Sequence, residues 1–107
     1  MKQFMGISAS VGAVTGTVKI LNSEEDFFKV NPGDILVTYR SSPAWTVPLM
    51  KASGLICEVG GKVSHIAMIC RELNVPCVVG IPGIFSEFHD GDIASIDCKN
   101  GEVWKYA

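Results

Sequence analysis

The sequence lacks several features that mark whole classes of protein. It has no run of basic residues, and nine Lys and Arg against eleven Asp and Glu give a formal net charge of -2. A general nucleic-acid binder needs a basic surface, so this class is excluded. No apolar run approaches the roughly 20 residues of a membrane-spanning helix, and the N-terminus lacks the apolar core of a secretory signal. We therefore expect a cytoplasmic protein that binds neither nucleic acid nor a membrane.

The cysteine spacing of a metal or disulfide site is also absent. None of the four cysteines belongs to a C-x-x-C pair, and each lies in an apolar run: Cys57, Cys70, Cys77 and Cys98. An unpaired cysteine in such surroundings behaves as a small hydrophobic residue. We predict four buried free thiols and no metal site, since the spacing also disfavours a metal or redox centre that combines them with a histidine.

No linker, repeat or low-complexity tract divides the 107 residues, of which 48% are hydrophobic and 19% charged. This composition is typical of one soluble globular domain, which we assign to residues 1–107. The P-loop pattern GxxxxGK[ST] is missing, and so short a chain has little room for a deep active site in addition to a core. Any chemistry should therefore lie at the surface.

Turn-forming residues divide the first half of the chain. Residues 6–21, GISASVGAVTGTVKIL, mix β-branched residues with Gly12 and Gly16, which predicts short strands and tight turns. The acidic residues 24–26 indicate a solvated loop or a short helical turn. An Asn-Pro-Gly-Asp turn then leads into a strand at Ile35–Thr38.

Two helices are predicted after that strand. Ser42 before Pro43 is a plausible start for the first, and Pro48 limits its length. The second begins near Ser64 and ends at Asn74. Its apolar residues fall at i, i+3, i+4 and i+7: Ile66, Ile69, Cys70 and Leu73.

The second helix lies between two strand-like segments, GLICEV at 54–59 and PCVVG at 76–80. A strand, a helix and a strand form a βαβ unit, whose two strands are parallel. Asn100-Gly101, between alternating apolar residues, predicts a hairpin near the C-terminus. We expect an α/β domain with many short strands, few helices and strands from both ends of the chain.

One of the two histidines has an unusual position. His65 lies in the first turn of the second helix, one residue off its apolar stripe, and follows Gly60, Gly61 and Ser64. A helix N-terminus favours anions and disfavours an imidazolium, so the ring should remain neutral and nucleophilic. Glycines let backbone N–H groups approach phosphate oxygens, and Ser64 can cap the helix or donate to an anion. These residues suit a histidine that accepts a phosphoryl group, although an ordinary surface histidine is the alternative.

The segment GGKVSHIAMICRELNVPCVVG resembles the signature of the swivelling phosphohistidine domain of phosphoenolpyruvate-utilising enzymes. That family includes pyruvate phosphate dikinase, phosphoenolpyruvate synthase and enzyme I of the sugar phosphotransferase system. The upstream segment from Gly33 to Thr46 is also similar. The matching residues of the central motif are Gly60, Gly61, Ser64, His65, Arg71, Pro76, Val79 and Gly80.

The resemblance implies a single swivelling β/β/α domain in which His65 is phosphorylated at one site and dephosphorylated at another. It assigns the chemistry to His65 and Ser64, and phosphate binding to Gly60, Gly61 and Ser64. Two residues depart from the family pattern: Val63 stands where threonine is frequent, and Cys70 where alanine is usual. The missing threonine hydroxyl weakens any regulation through that group but leaves the nucleophile in place.

Other candidate residues have open roles. Arg71 lies about 240 degrees round an ideal helix from His65, so we expect a salt bridge to Glu58, Glu72 or another carboxylate instead of a phosphate contact. Four hydroxyl-bearing residues of the neighbouring loop could line the phosphate: Thr38, Ser41, Ser42 and Thr46. Ser42 could equally be a helix cap. Trp45 serves packing or docking, and His89, beside acidic residues, should be ordinary surface.

We therefore expect a stand-alone phosphohistidine carrier that works within a phosphoenolpyruvate/pyruvate phosphotransfer system and turns over nothing alone. It should bind no cofactor directly; nucleotide-binding or phosphoenolpyruvate-binding partner proteins would hold phosphoenolpyruvate, or ATP with Mg. The main alternative is a regulatory or docking module that keeps the fold without phosphorylation. Met1 and the ends of the chain favour a whole protein over an excised piece of a larger enzyme.

Overall fold

A curved β-sheet dominates the computed structural model, which describes residues 1–106. Its strands, in chain order, are β1 (Lys2–Met5), β2 (Ile7–Ser8), β3 (Ala13–Leu21), β4 (Ile35–Thr38), β5 (Gly54–Cys57), β6 (Cys77–Val79), β7 (Ile93–Asp97) and β8 (Glu102–Tyr106). The α-helices are α1 (Thr46–Leu49), α2 (His65–Leu73) and α3 (Ile84–Glu87), with short 3-10 helices at Glu24–Lys29 and Pro43–Trp45. Within residues 1–106, every helix is too short or too polar to span a bilayer.

The sheet curls until its two ends meet. The strand order is β1-β8-β7-β3-β4-β5-β6-β2, and only Gly6 separates β1 from β2 along the chain. A Cβ atom at Gly6 would collide with the Ile81 side chain and would lie 2.8 Å from the carbonyl oxygen of Val79. Glycine is therefore required where the N-terminal segment passes from one sheet edge to the other.

The half of the sheet that carries the helices is parallel. β3 pairs with β4, β4 with β5 and β5 with β6, all in parallel register. The predicted βαβ unit is confirmed as β5, α2 and β6. Because parallel strands end at a common edge, the loops that follow β3, β4, β5 and β6 gather on one side of the molecule. We call this side the carboxyl edge.

Residues of the central strands alternate between two apolar cores. Leu36 and Leu55 face α1 and α2, where they pack with Leu49 and Ile66. The alternate residues of these strands face the inside of the curved sheet, where they pack with residues of other strands. This inner core includes Ile35, Val37, Ile56, Val78 and Ile96. Both faces of β4 and β5 are thus buried, which explains why these strands are apolar at nearly every position instead of alternating.

Most predicted elements are confirmed, including the strand at Ile35–Thr38, the C-terminal hairpin of β7 and β8, and the buried free cysteines. The acidic segment forms the short 3-10 helix. The expectation of only short strands and tight turns around Gly16 is wrong, because Gly16 lies inside the nine-residue β3. A Cβ atom at Gly16 would lie 2.8 Å from the carbonyl oxygen of Gly33, so this glycine allows close packing and not a turn. The short helix α3 was not predicted.

Candidate functional site

The loop between β5 and α2, residues 58–64, lies at the carboxyl edge. It begins with two backbone hydrogen bonds, in which Glu58 N donates to Thr38 O (3.0 Å) and Val59 N donates to Tyr39 O (2.8 Å). The loop after β4 therefore runs beside the start of the loop after β5. In sheets with parallel strands, ligands commonly bind outside the carboxyl ends of the strands.

The two glycines of this loop differ in conformation. Gly60 has φ +150°, which side chains with a Cβ rarely adopt, whereas Gly61 has no positive φ and no neighbour near the position of a Cβ. Gly60 also contacts the loop after β6, since a Cβ at Gly80 would lie 3.1 Å from the Gly60 carbonyl oxygen. Gly60 thus gives the loop its shape, and Gly61 leaves open space beside it.

Ser64 joins this loop to α2. Its Oγ accepts a hydrogen bond from Ala67 N (3.4 Å) and donates one to Gly61 O (2.8 Å). Its extended backbone, with φ -65° and ψ 155°, is that of a helix N-cap. Ser64 therefore acts as the predicted cap and also fixes the orientation of the Gly61 carbonyl.

His65 is the first residue of α2, and it is exposed. Within residues 1–106 its ring makes no hydrogen bond and no ion pair. The first amides of a helix have no carbonyl one turn earlier to bond with. Here Ser64 satisfies the amide of Ala67, while those of His65 and Ile66 have no acceptor among the described residues. The ring thus lies beside two backbone donors without an acceptor, of which the amide of Ile66 belongs to a fully buried residue.

The buried cysteine thiols are less suitable than His65 as nucleophiles. Cys57 lies at the end of β5 but is fully buried, and burial raises the pKa of its thiol to about 11, so it is protonated at neutral pH. The hydrogen bond between the Cys77 and Cys70 thiols, followed by burial, likewise raises the pKa of Cys77. No group of three metal-binding side chains occurs within residues 1–106. Unlike these thiols, the His65 ring is exposed at this edge.

Arg71 does not form the expected salt bridge. Its Nη1 donates to the carbonyl oxygen of Ala9 at 2.7 Å, and no carboxylate of the described chain lies within ion-pair distance. The prediction of a carboxylate partner was wrong because Arg71 extends to the loop after β2, which β2–β6 pairing places beside α2. Arg71 thus joins the helix to the N-terminal segment.

The neighbouring loop hydroxyls have mixed roles. Trp45 is buried and donates through Nε1 to Thr38 Oγ1 at 3.1 Å, while Ser42 Oγ accepts from Ala44 N at 3.3 Å and caps the short 3-10 helix. Thr38, Ser42 and Trp45 are therefore engaged in structural contacts. Ser41 and Arg40 line a surface cleft of about 590 Å³, which Thr38, Ser42 and Trp45 also border.

A further contact at this edge was not predicted from the sequence. The Oε1 atom of Glu58 accepts a hydrogen bond from the backbone N–H of Phe85, in α3, at 2.9 Å. The two residues are 27 positions apart, so local patterns carry no signal for the bond. Lys62, exposed in the same loop as Gly61, adds a positive charge that the motif itself does not specify.

Comparison with known proteins identifies the family. A family model described as the mobile domain of PEP-utilising enzymes, where PEP is phosphoenolpyruvate, matches residues 30–101, which include the whole loop and α2. The chain belongs to this family. The predicted resemblance is thereby confirmed.

Individual relatives agree with this assignment. The mobile domain is 39% identical over 98 residues to an uncharacterised phosphotransferase of Bacillus subtilis, covering 92% of this chain and 12% of that protein. It is 37% identical over 100 residues to a probable phosphoenolpyruvate synthase of Methanothermobacter thermautotrophicus, covering 94% of this chain and 15% of that protein. A solution structure of enzyme I matches with a TM-score of 0.64 and 26% identity, over 74% of this chain and 33% of that chain.

The mobile domain is therefore much shorter than the curated relatives it matches, spanning 12% and 15% of the two described above. Those proteins contain large additional regions. The ligands and activities of these additional regions are properties of the relatives and not of this chain.

Proposed function

We propose that this mobile domain is a phosphohistidine carrier, in which His65 accepts a phosphoryl group and passes it to a second acceptor. One observation carries the proposal: an exposed, unpaired imidazole occupies the first position of α2, next to amides of His65 and Ile66 that have no acceptor in residues 1–106. The mobile-domain family provides the second line of support.

The transfer requires one bond to form and one to break. A lone pair of the neutral imidazole attacks phosphorus, a P–N bond forms, and the P–O bond of the donor breaks with its electron pair left on the departing oxygen. The ring's other nitrogen then loses its proton to solvent or to the leaving group. In the second transfer an acceptor oxygen attacks phosphorus, the ring's other nitrogen regains a proton from the acceptor hydroxyl or from solvent, and neutral imidazole leaves with the P–N electron pair.

The surroundings of His65 suit the phosphorylated state. A phosphorylated side chain carries a charge of roughly -1.5 to -2 at neutral pH. The positive end of the α2 dipole and the free amides of its first turn would stabilise that charge, as helix N-termini generally do for anions. Gly60, Gly61 and Ser64 shape the backbone from which these donors project, and Lys62 adds a cation.

The donor and the acceptor lie outside this chain in the proposal. Phosphoenolpyruvate, or ATP with Mg, would be held by a phosphoenolpyruvate-binding or nucleotide-binding partner, and the domain would bind no cofactor of its own. The comparisons leave the identity of these partners open, but the additional regions of the relatives are consistent with such an arrangement. A cytoplasmic location likewise remains a prediction.

A labelling experiment tests the proposal. The purified protein is incubated with ³²P-labelled phosphoenolpyruvate or ATP and a lysate of its host, and the label is tested for the acid lability and base stability of phosphohistidine. We expect label on the wild-type chain and on His89→Ala, and its loss in His65→Ala.

His89 is the matched control because its side chain is 82% exposed and lies outside the carboxyl-edge loop. Equal labelling of His65→Ala and wild type would refute the site assignment. If neither donor labels the wild-type chain in the lysate, the docking module without phosphorylation becomes the better description.

A further inference from the structure

We propose that Glu58 is a positioning residue for phosphoryl transfer at His65. This inference rests on the proposed function and extends it from the nucleophile to the support of its loop. Glu58 directly precedes the residues that shape the site, and its side chain is half-buried at the carboxyl edge. The carboxylate makes no ion pair within residues 1–106, so a salt bridge does not account for it.

Glu58 is the point at which three loops meet. Its backbone N–H donates to Thr38 O at the end of β4, while its Oε1 accepts from Phe85 N in α3, which follows β6. The rings of Tyr39 and Phe85 lie edge to face with centroids 6.3 Å apart, over the same junction. Glu58 thus holds the start of the loop after β5 to the end of β4 through its backbone and to α3 through its side chain.

The junction continues directly into the glycine loop. The Gly80 amide donates to Cys57 O at 3.1 Å, and the Gly60 carbonyl lies 3.1 Å from the position of a Cβ at Gly80. A shift of α3 and of the preceding turn at Gly80–Gly83 would therefore move Gly60. Gly60 in turn precedes the Gly61 carbonyl that Ser64 holds.

The hydrogen bond of Glu58 affects the direction in which the free amides of the first turn of α2 point. Stabilisation of a transferring phosphoryl group requires donors fixed in place before the reaction, because reorganising them during the reaction raises the barrier. The Ser64 side chain restrains one end of the loop and the Glu58 side chain restrains the other. Without the Glu58 acceptor, the loop between them gains freedom and the donors lose their alignment.

The experiment uses potassium phosphoramidate, a small phosphoryl donor that needs no partner protein. It transfers PO3 to an imidazole nitrogen with release of ammonia, and phosphorylation of His65 and His89 is followed separately by mass spectrometry. In the wild-type chain we expect His65 to react faster than His89. In Glu58→Ala the His65 rate should fall by about 10–100-fold, since a 1 Å misplacement of groups can cost about a hundredfold, while the His89 rate is unchanged.

Conservative and control variants separate positioning from stability. Glu58→Gln retains a side-chain oxygen for Phe85 N and should restore the His65 rate. Glu58→Leu removes the acceptor while keeping apolar bulk, and serves if Glu58→Ala folds poorly. Glu87→Ala, which breaks the 2.9 Å ion pair with Lys2 elsewhere on α3, should not alter the His65 rate.

The outcomes distinguish this inference from the proposed function. If folded Glu58→Ala and Glu58→Leu still phosphorylate His65 faster than His89, to the same extent as the wild-type chain, the role of Glu58 is overturned. The proposed function is not affected by that result. A loss that Glu58→Gln does not restore also overturns it, since the charge and not the hydrogen bond would then matter. Equal rates at His65 and His89 in the wild-type chain would count against the proposed function and against this extension together.

Discussion

Gly60 and Gly61 are adjacent in the motif, but the structure assigns them different tasks. Gly60 adopts φ +150° and packs near Val79, with 3.6 Å from its Cβ position to the Val79 Cβ. Space is available there, so the demand for glycine is conformational. Gly61 meets neither a conformational nor a packing demand within the described chain. Its absent side chain matters only when another molecule approaches the loop.

Alanine substitutions separate these two demands. Gly60→Ala should lower the free energy of unfolding by about 1–3 kcal/mol, since it imposes a sparsely populated backbone conformation. Gly61→Ala should change it by less than about 0.5 kcal/mol, as expected where an added Cβ meets no neighbour, yet slow phosphorylation of His65. Urea unfolding and phosphoramidate labelling measure the two effects. Equal stability losses in both variants would show that the conformational distinction is wrong.

The helix α2 is defined by its two ends. Ser64 caps the N-terminus through Ala67 N, and Asn74 ends the helix in the left-handed conformation with φ 57°. Between them the buried face consists of Ile66, Ala67 and Cys70. Because Ser64 and His65 are consecutive residues, the stability of the first turn and the position of His65 are linked.

Removal of the cap should have a measurable effect on this element. Ser64→Ala loses both hydrogen bonds of the hydroxyl and should cost about 1 kcal/mol of unfolding free energy, the usual loss for an N-cap. Ser64→Asn retains an oxygen that accepts from Ala67 N and should recover most of that loss. Thermal unfolding followed by circular dichroism measures both variants. An unchanged melting temperature in Ser64→Ala would exclude a capping role.

Charged residues connect distant segments of the whole molecule. Lys29 lies 3.4 Å from a carboxylate oxygen of Asp26 and 2.9 Å from one of Asp90, and Asp90 also accepts from Ile20 N at 2.7 Å. These contacts join the 3-10 helix, β3 and the loop after α3. Burial pushes the pKa of both carboxyl groups upward, but hydrogen bonds from backbone amides and the Lys29 charge outweigh it, so each pKa lies below its ordinary value.

The lowered pKa values predict a loss of stability in acid. A carboxyl group whose pKa is lower in the folded state stabilises the protein above its unfolded pKa, here 3.8, and the contribution disappears as the pH falls through the folded value. Urea unfolding at pH 6 and pH 3 should therefore show a smaller decrease in stability for Asp26→Asn/Asp90→Asn than for wild type. An equal decrease in both proteins would contradict the assignment.

Local patterns predicted much of the candidate site. The Ser64 cap and the Asn74 end of α2 depend on residues within a few positions of them, and both are observed. The placement of His65 at the first helical position follows from them. The predicted apolar stripe is only partly correct, because Ile66 and Cys70 are buried whereas Leu73 is exposed. The Arg71 partner was mispredicted, because the Ala9 carbonyl is 62 residues away and no periodicity refers to it.

The sequence by itself determined the parts that short-range physics controls: the apolar strands, the capped helix and the order of glycines, serine and histidine before it. Only the tertiary structure decided that the sheet curls at Gly6 until its edges meet, and that Glu58 reaches Phe85. The physical reason is that such contacts join groups far apart in the chain. Their geometry exists only after the two apolar cores have packed and brought the loops to one edge.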